Sequence, residues 1–96
     1  MPPSAGPAYR LTLSNAAFRD MDALEAEVRR QITSEIEQLR ENPRPYGVLR
    51  LAGSDRLYRI RAGPAKRFRV IYQVFDRDFV VLVVRVADRK EAYRGL

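Results

Sequence analysis

The stretch LYRIRAGPAKRFRVIYQVFDRDFVVLVVRV, residues 57–86, decides the fold, because its apolar residues recur with a period of two. From Leu57 to Ala62, Tyr58 and Ile60 share one parity while Arg59 and Arg61 take the other. Gly63 to Arg67 is the composition of a loop. Phe68 to Phe75 alternates again, with Phe68, Val70, Tyr72 and Val74 against Arg69, Ile71, Gln73 and Phe75. Asp76 to Asp78 is a turn, and Phe79 to Val86 is a third strand. Its six consecutive apolar residues, Phe79 to Val84, fit a strand that is central or buried on both faces. Successive side chains of a strand point to opposite faces, so the apolar parity packs on a core that includes Tyr58 and Tyr72. Arg59, Arg61 and Arg69 are then left together on the open face.

Upstream the period is helical. Tyr9 to Leu13 alternates as a short half-buried strand, and Ser14 has the position of a helix cap before Ala17, Phe18 and Met21. That first helix ends near Asp22, and Asp22 with Glu25 has the spacing of a capping box opening a second helix. In the second helix Leu24, Val28, Ile32, Ile36 and Leu39 form one apolar stripe, while Glu27, Arg30, Glu37 and Arg40 face water. Asn42, Pro43, Arg44 and Pro45 stop it. Val48 to Leu51 is a short strand or an extended entry to the sheet, and Gly53 to Asp55 turns the chain. The expected fold class is α+β, with a short N-terminal strand and an antiparallel helical hairpin packed on one face of a small, mainly antiparallel β-sheet. Residues 1–8 are a flexible tail and residues 9–96 a single domain.

Composition narrows the chemistry. Cysteine and histidine are both absent, which removes disulfides, thiolate nucleophiles, Cys/His zinc sites and imidazole bases. Catalysis is left to Arg, Lys, Tyr or carboxylates, with no metal and no cofactor expected. No apolar run approaches the ~20 residues of a membrane span, and the N-terminus lacks the regions of a signal peptide, so the expectation is a soluble cytoplasmic protein. The net charge of +6 is unevenly spread. Residues 1–42 hold five basic and seven acidic side chains, whereas residues 43–96 hold thirteen basic and five acidic. Clustered cations favour a polyanionic partner through counterion release. The end of the chain continues the theme with Arg85, Asp88, Arg89, Lys90, Glu91, Ala92, Tyr93 and Arg94, where Asp88 to Tyr93 fits a short helical turn.

In order and spacing, the helix end at residues 42–45, the Leu51 to Gly53 turn, Tyr58-Arg59-Ile60-Arg61, Arg69-Val70-Ile71-Tyr72 and the ending Arg89 to Arg94 resemble the RelE/ParE family of bacterial toxins from toxin-antitoxin pairs. The fold implied is the one read above. The resemblance implies one of two activities: metal-independent cleavage of messenger RNA in the ribosomal A site by an mRNA interferase, or poisoning of DNA gyrase. A catalytically silent binding module of the same fold is the third reading. For the nuclease branch, the resemblance carries the working positions onto Arg59, Arg61, Arg69, Arg89 and Tyr93. Arg67, Arg85 and Lys90 join Arg59, Arg61 and Arg69 as candidate RNA contacts. The implied partners are a cognate antitoxin, mRNA and the ribosome, with gyrase in the alternative reading.

RNA cleavage without a metal requires that a 2′-hydroxyl lose a proton, that the charge on phosphorus be neutralised, and that the leaving 5′-oxygen gain a proton. Arginines supply the second requirement through a planar fork that fits two phosphate oxygens. They do not supply a base, since guanidinium holds its proton at pH above about 12. The proton-moving group stays open among Tyr93, Glu91 and a ribosomal group. Relative to the family's tight loop, Pro64 to Arg67 contains extra residues.

Overall fold

The computed structural model describes residues 8–53 and 56–92. The tail up to Pro7, the turn residues Ser54 and Asp55, and the candidate Tyr93 lie outside the described residues. The three strands of the opening stretch form where alternation places them: β3 is Leu57–Ala62, β4 is Phe68–Phe75 and β5 is Val80–Asp88. Both ladders are antiparallel, with Tyr58 opposite Tyr72 and Val70 opposite both Ile60 and Val86. An N-terminal strand β1, Arg10–Leu13, lies parallel to β5, and the two-residue β2, Leu49–Arg50, is antiparallel to β3. The order β1-β5-β4-β3-β2 gives β5 a neighbour on each side, which accounts for its unbroken apolar run. Phe79 falls outside β5, in the turn, at φ 54, with its ring set edge-on to Tyr9 at 5.4 Å.

Ser14 caps α1, Asn15–Asp22, by accepting the Ala17 N–H at 3.0 Å, and its own hydroxyl donates to the Val84 carbonyl at 2.8 Å. The expected capping box is not formed. Asp22 is spent as the last residue of α1, and Glu25, the cap of α2 (Ala26–Glu37), makes no side-chain cap bond. The stripe of α2 behaves as its spacing predicts: Ile32, Ile36 and Leu39 are buried, and Leu24 and Val28 pack against them. Each fully buried aliphatic side chain contributes about 1.5–3 kcal/mol. Both helices pack on the sheet, and the core face carries Tyr58, Val70, Tyr72, Val74, Val81, Val83 and Val86. Tyr72 is fully buried and donates its hydroxyl to the Pro43 carbonyl at 2.7 Å, so the loop that ends the helical segment is pinned to the middle strand. Burial holds that phenol well above its ordinary range. No helix among the described residues is long and apolar enough to cross a membrane.

Two polar clusters fasten this frame. The register between β4 and β5 slips at Ile71/Tyr72, so that Ile71 faces Arg85, Tyr72 faces Val83, and Val84 is the extra residue of a bulge. Beyond the bulge β1 no longer covers the edge of β5, and α1 takes its place. The Asp20 carboxylate accepts the Val86 N–H at 2.9 Å and the Arg85 Nε–H at 2.8 Å. At the other end Arg44 forks onto Asp76 at 2.7 and 3.1 Å and donates from Nε to the Tyr58 hydroxyl at 3.0 Å. Tyr9 donates to the same carboxylate at 2.7 Å. The Arg44 and then the Tyr9 hydrogen bonds hold Asp76 below the usual carboxylate range, while Asp76 raises both partners.

Candidate nucleic-acid interface

The face opposite the helices is built from rungs that run across three strands. Arg61 stands opposite Arg69, and Arg69 opposite Ala87. The next rung is Arg59, Ile71 and Arg85. Just beyond the start of β4 the ladder is extended by one bond, in which the Arg89 N–H donates to the Arg67 carbonyl at 2.9 Å. Arg59, Arg61 and Arg69 therefore share one face by their parity on the strands, while Arg67 and Arg89 lie beside Lys90 in a separate cleft. Like charges directly opposite each other in a ladder are destabilising, so nothing in folding alone selects Arg61 against Arg69.

Arg59 departs from expectation. The alternation of β3 places it on the open face, yet it is only 9 % exposed. Its rung explains this: Ile71, between Arg59 and Arg85, is fully buried, which places an arginine stem on each side of a buried isoleucine. The Arg59 Nε is buried with no hydrogen-bond partner. A buried donor left unmade by protein groups costs about 1–3 kcal/mol, which marks Arg59 out from the rest of the face.

Arg61 is exposed, and Arg69 is half-buried, donating from Nη1 to the carbonyls of Lys66 (2.8 Å) and Phe68 (3.2 Å). Arg85 is committed to Asp20 rather than to the open face, which raises its guanidinium above its ordinary range. Arg67 reaches Asp88 at 3.4 Å, and Asp88 is held below the carboxylate range by the Lys90 N–H first and Arg67 second. Arg89 and Lys90 are exposed in the turn that follows β5, where Ala92 is buried.

A groove of about 630 Å³ opens beside the outer edge of β3, where the short β2 leaves residues 60–62 uncovered. Arg59, Arg61 and Lys66 line it together with Glu35, Tyr46 and Gly47. Tyr46 and Lys66 escaped the sequence reading. The first stands fully exposed between Pro45 and Gly47, and the second sits in the β3–β4 loop.

That loop is held in an uncommon shape. Gly63 takes φ 80, and a Cβ there would meet Phe68 at 2.8 Å, so only glycine fits. Its N–H donates to Glu35 Oε1 at 2.8 Å. The 3-10 turn Pro64–Lys66 follows, in which Ala65 and Lys66 both take left-handed φ, 54 and 57. For two residues with side chains this costs roughly 1–2 kcal/mol each. Glu35 at one end and Arg69 at the other offset the strain.

Residues 11–93 match the model of a family described as the ParE toxin of type II toxin-antitoxin system, parDE. The chain belongs to the RelE/ParE family of toxins. The isolated RelE toxin of E. coli superposes with a TM-score of 0.73 at 27% identity, covering 93% of this chain and 100% of that one. A chain of the intact E. coli RelBE toxin-antitoxin complex is 30% identical, with a TM-score of 0.71 and coverage of 84% and 96%. In the archaeal RelE-RelB complex from Pyrococcus horikoshii OT3 the match is 25% identical, with a TM-score of 0.70 and coverage of 85% and 96%. The α+β architecture of two helices on a five-stranded, mostly antiparallel sheet is thus that of RelE structures. Within this RelE/ParE toxin four of the five candidate catalytic positions, Arg59, Arg61, Arg69 and Arg89, fall among the described residues.

Proposed function

We propose that this toxin is an mRNA interferase, a metal-independent endoribonuclease that cleaves mRNA in the ribosomal A site and so halts translation. The observation that carries the reading is the Arg61–Arg69 rung beside the buried, unpartnered Nε of Arg59. A row of guanidiniums, one with a donor that no protein group satisfies, matches a phosphodiester whose charge grows in the transition state. In this reading Arg59, Arg61 and Arg69 neutralise the phosphorane, and Arg89 and Lys90 hold the flanking backbone. Tyr93 stacks on a base or joins proton transfer. The similarity to RelE chains solved with RelB supports a cognate antitoxin, acidic enough to pair with the arginine face and apolar enough to dock.

One observation favours a second reading. The matching family model bears the ParE description, and ParE-like toxins act on DNA gyrase by the resemblance stated above. Primer extension on mRNA from translating ribosomes separates the two. Cuts confined to A-site codons support the nuclease, whereas intact mRNA with double-strand DNA breaks in growth-arrested cells assigns the chain to the gyrase branch.

A further inference from the structure

Of the eighteen basic side chains only two are lysines, Lys66 and Lys90. The distinction matters because an ammonium can hand a proton to an alkoxide leaving group, whereas a guanidinium holds its own. The two arginines on β3 can neutralise charge but cannot pass a proton. Lys66 shares their groove. Lys90 sits elsewhere, in a cleft with Arg67, Asp88, Arg89 and Glu91.

The position of Lys66 is built rather than incidental. The loop leaves β3 immediately after the Arg61 rung and enters β4 immediately before Arg69. It is tied at Gly63 by the Glu35 carboxylate and at the Lys66 carbonyl by the Arg69 guanidinium. Lys66 itself keeps a left-handed backbone that a glycine would adopt freely. Strain of this kind persists where the surroundings over-determine it, and it concentrates at functional sites. The side chain is exposed, makes no hydrogen bond or ion pair among the described residues, and borders the groove that Arg59 and Arg61 line.

We propose that Lys66 is a catalytic residue of this toxin, the ammonium that protonates the leaving 5′-oxygen during RNA cleavage. The assignment rests on the nuclease reading. The 2′-oxygen forms its bond to phosphorus as its proton passes to water. The phosphorus–O5′ bond breaks with its electron pair on O5′, and O5′ takes a proton from the Lys66 Nζ. The products are a 2′,3′-cyclic phosphate and a 5′-hydroxyl, and water returns a proton to the amine. Arg59, Arg61 and Arg69 stay charged throughout.

The test uses programmed ribosomes carrying mRNA with either a natural linkage or a single bridging 5′-phosphorothiolate in the A-site codon. Sulfur leaves without protonation, so the modified linkage needs no acid. Two variants are compared with wild type: Lys66→Arg, which keeps the charge, and Lys66→Gly, which removes the side chain and suits the backbone. Unchanged thermal unfolding establishes that both fold. Loss of a general acid is expected to slow cleavage of the natural linkage about 10²- to 10⁴-fold in both variants. With the sulfur linkage both variants are expected to cleave within about tenfold of wild type. Equal losses on the two linkages, or a Lys66→Arg enzyme as fast as wild type, overturn the assignment and leave the nuclease reading standing. A wild type that cuts neither linkage removes the nuclease reading itself, and the assignment with it.

Discussion

Arg61 and Arg69 stand directly opposite each other across the β3–β4 ladder, and among the described residues neither has a carboxylate partner. Such a pair costs the fold about 0.2–1 kcal/mol. Arg61→Gln is therefore expected to raise stability by a few tenths of a kcal/mol. The gain should shrink as salt screens the wild-type repulsion, which urea midpoints at low and high ionic strength will show.

Under the proposed nuclease function the same charges act in the opposite sense. Arg69→Ala and Arg89→Ala are each expected to remove about 2–4 kcal/mol of transition-state stabilisation, read as kcat/KM on programmed ribosomes. For Arg89 the fold should be untouched, since its side chain is exposed and its ladder bond is made by the backbone. Unchanged cleavage by both variants would return these residues to solvated surface.

Arg59 offers a separation of stability from function. Arg59→Met keeps the stem over Ile71 and deletes the buried Nε that lacks a partner. The variant is expected to gain about 1–3 kcal/mol in urea unfolding while losing toxicity on induction, the trade found where a strained site is kept for its chemistry. A less stable variant would mean that the guanidinium is satisfied in the folded chain.

Asp20 is expected to matter for the frame alone. Asp20→Ala leaves the Val86 N–H and a half-buried Arg85 without an acceptor and should cost about 2–4 kcal/mol in thermal or urea unfolding. Asp20→Asn keeps one acceptor and should cost less.

The Arg44, Asp76 and Tyr9 cluster sets an acid limit. Asp76 is depressed in the folded chain, so its contribution is complete above its unfolded value of about 3.9 and is lost as pH falls through the lower folded value. The difference in urea midpoint between wild type and Asp76→Asn should be constant near neutrality and should close below about pH 4. A gap independent of pH would assign the cluster's effect to packing.

Much of this was legible in the sequence for a physical reason. Alternation fixed β3 and β4 to the residue, since each carries an apolar face over the helices. The stripe from Leu24 to Leu39 marked α2 in the same way. What escaped were features set by partners distant in sequence. The capping box failed because Asp22 completed α1. The burial of Arg59 depended on Ile71 and Arg85, neighbours only once two registers are known. Lys66 and Tyr46 are loop residues with no periodicity, and the bulge at Val84 beside the Arg85–Asp20 pair leaves no mark in the sequence. The hint for Lys66 was compositional: a lysine in a chain whose cations are nearly all arginine.

The pairing of β1 with β5, Arg10 beside Val80, joins the first strand to the last. During synthesis β1 and both helices emerge long before the strand that must receive them, and the rungs of arginine need β3, β4 and β5 together. Contacts so remote in sequence form late. A nascent or prematurely terminated chain thus lacks the three-strand arginine rungs, which assemble only once β5 has been made.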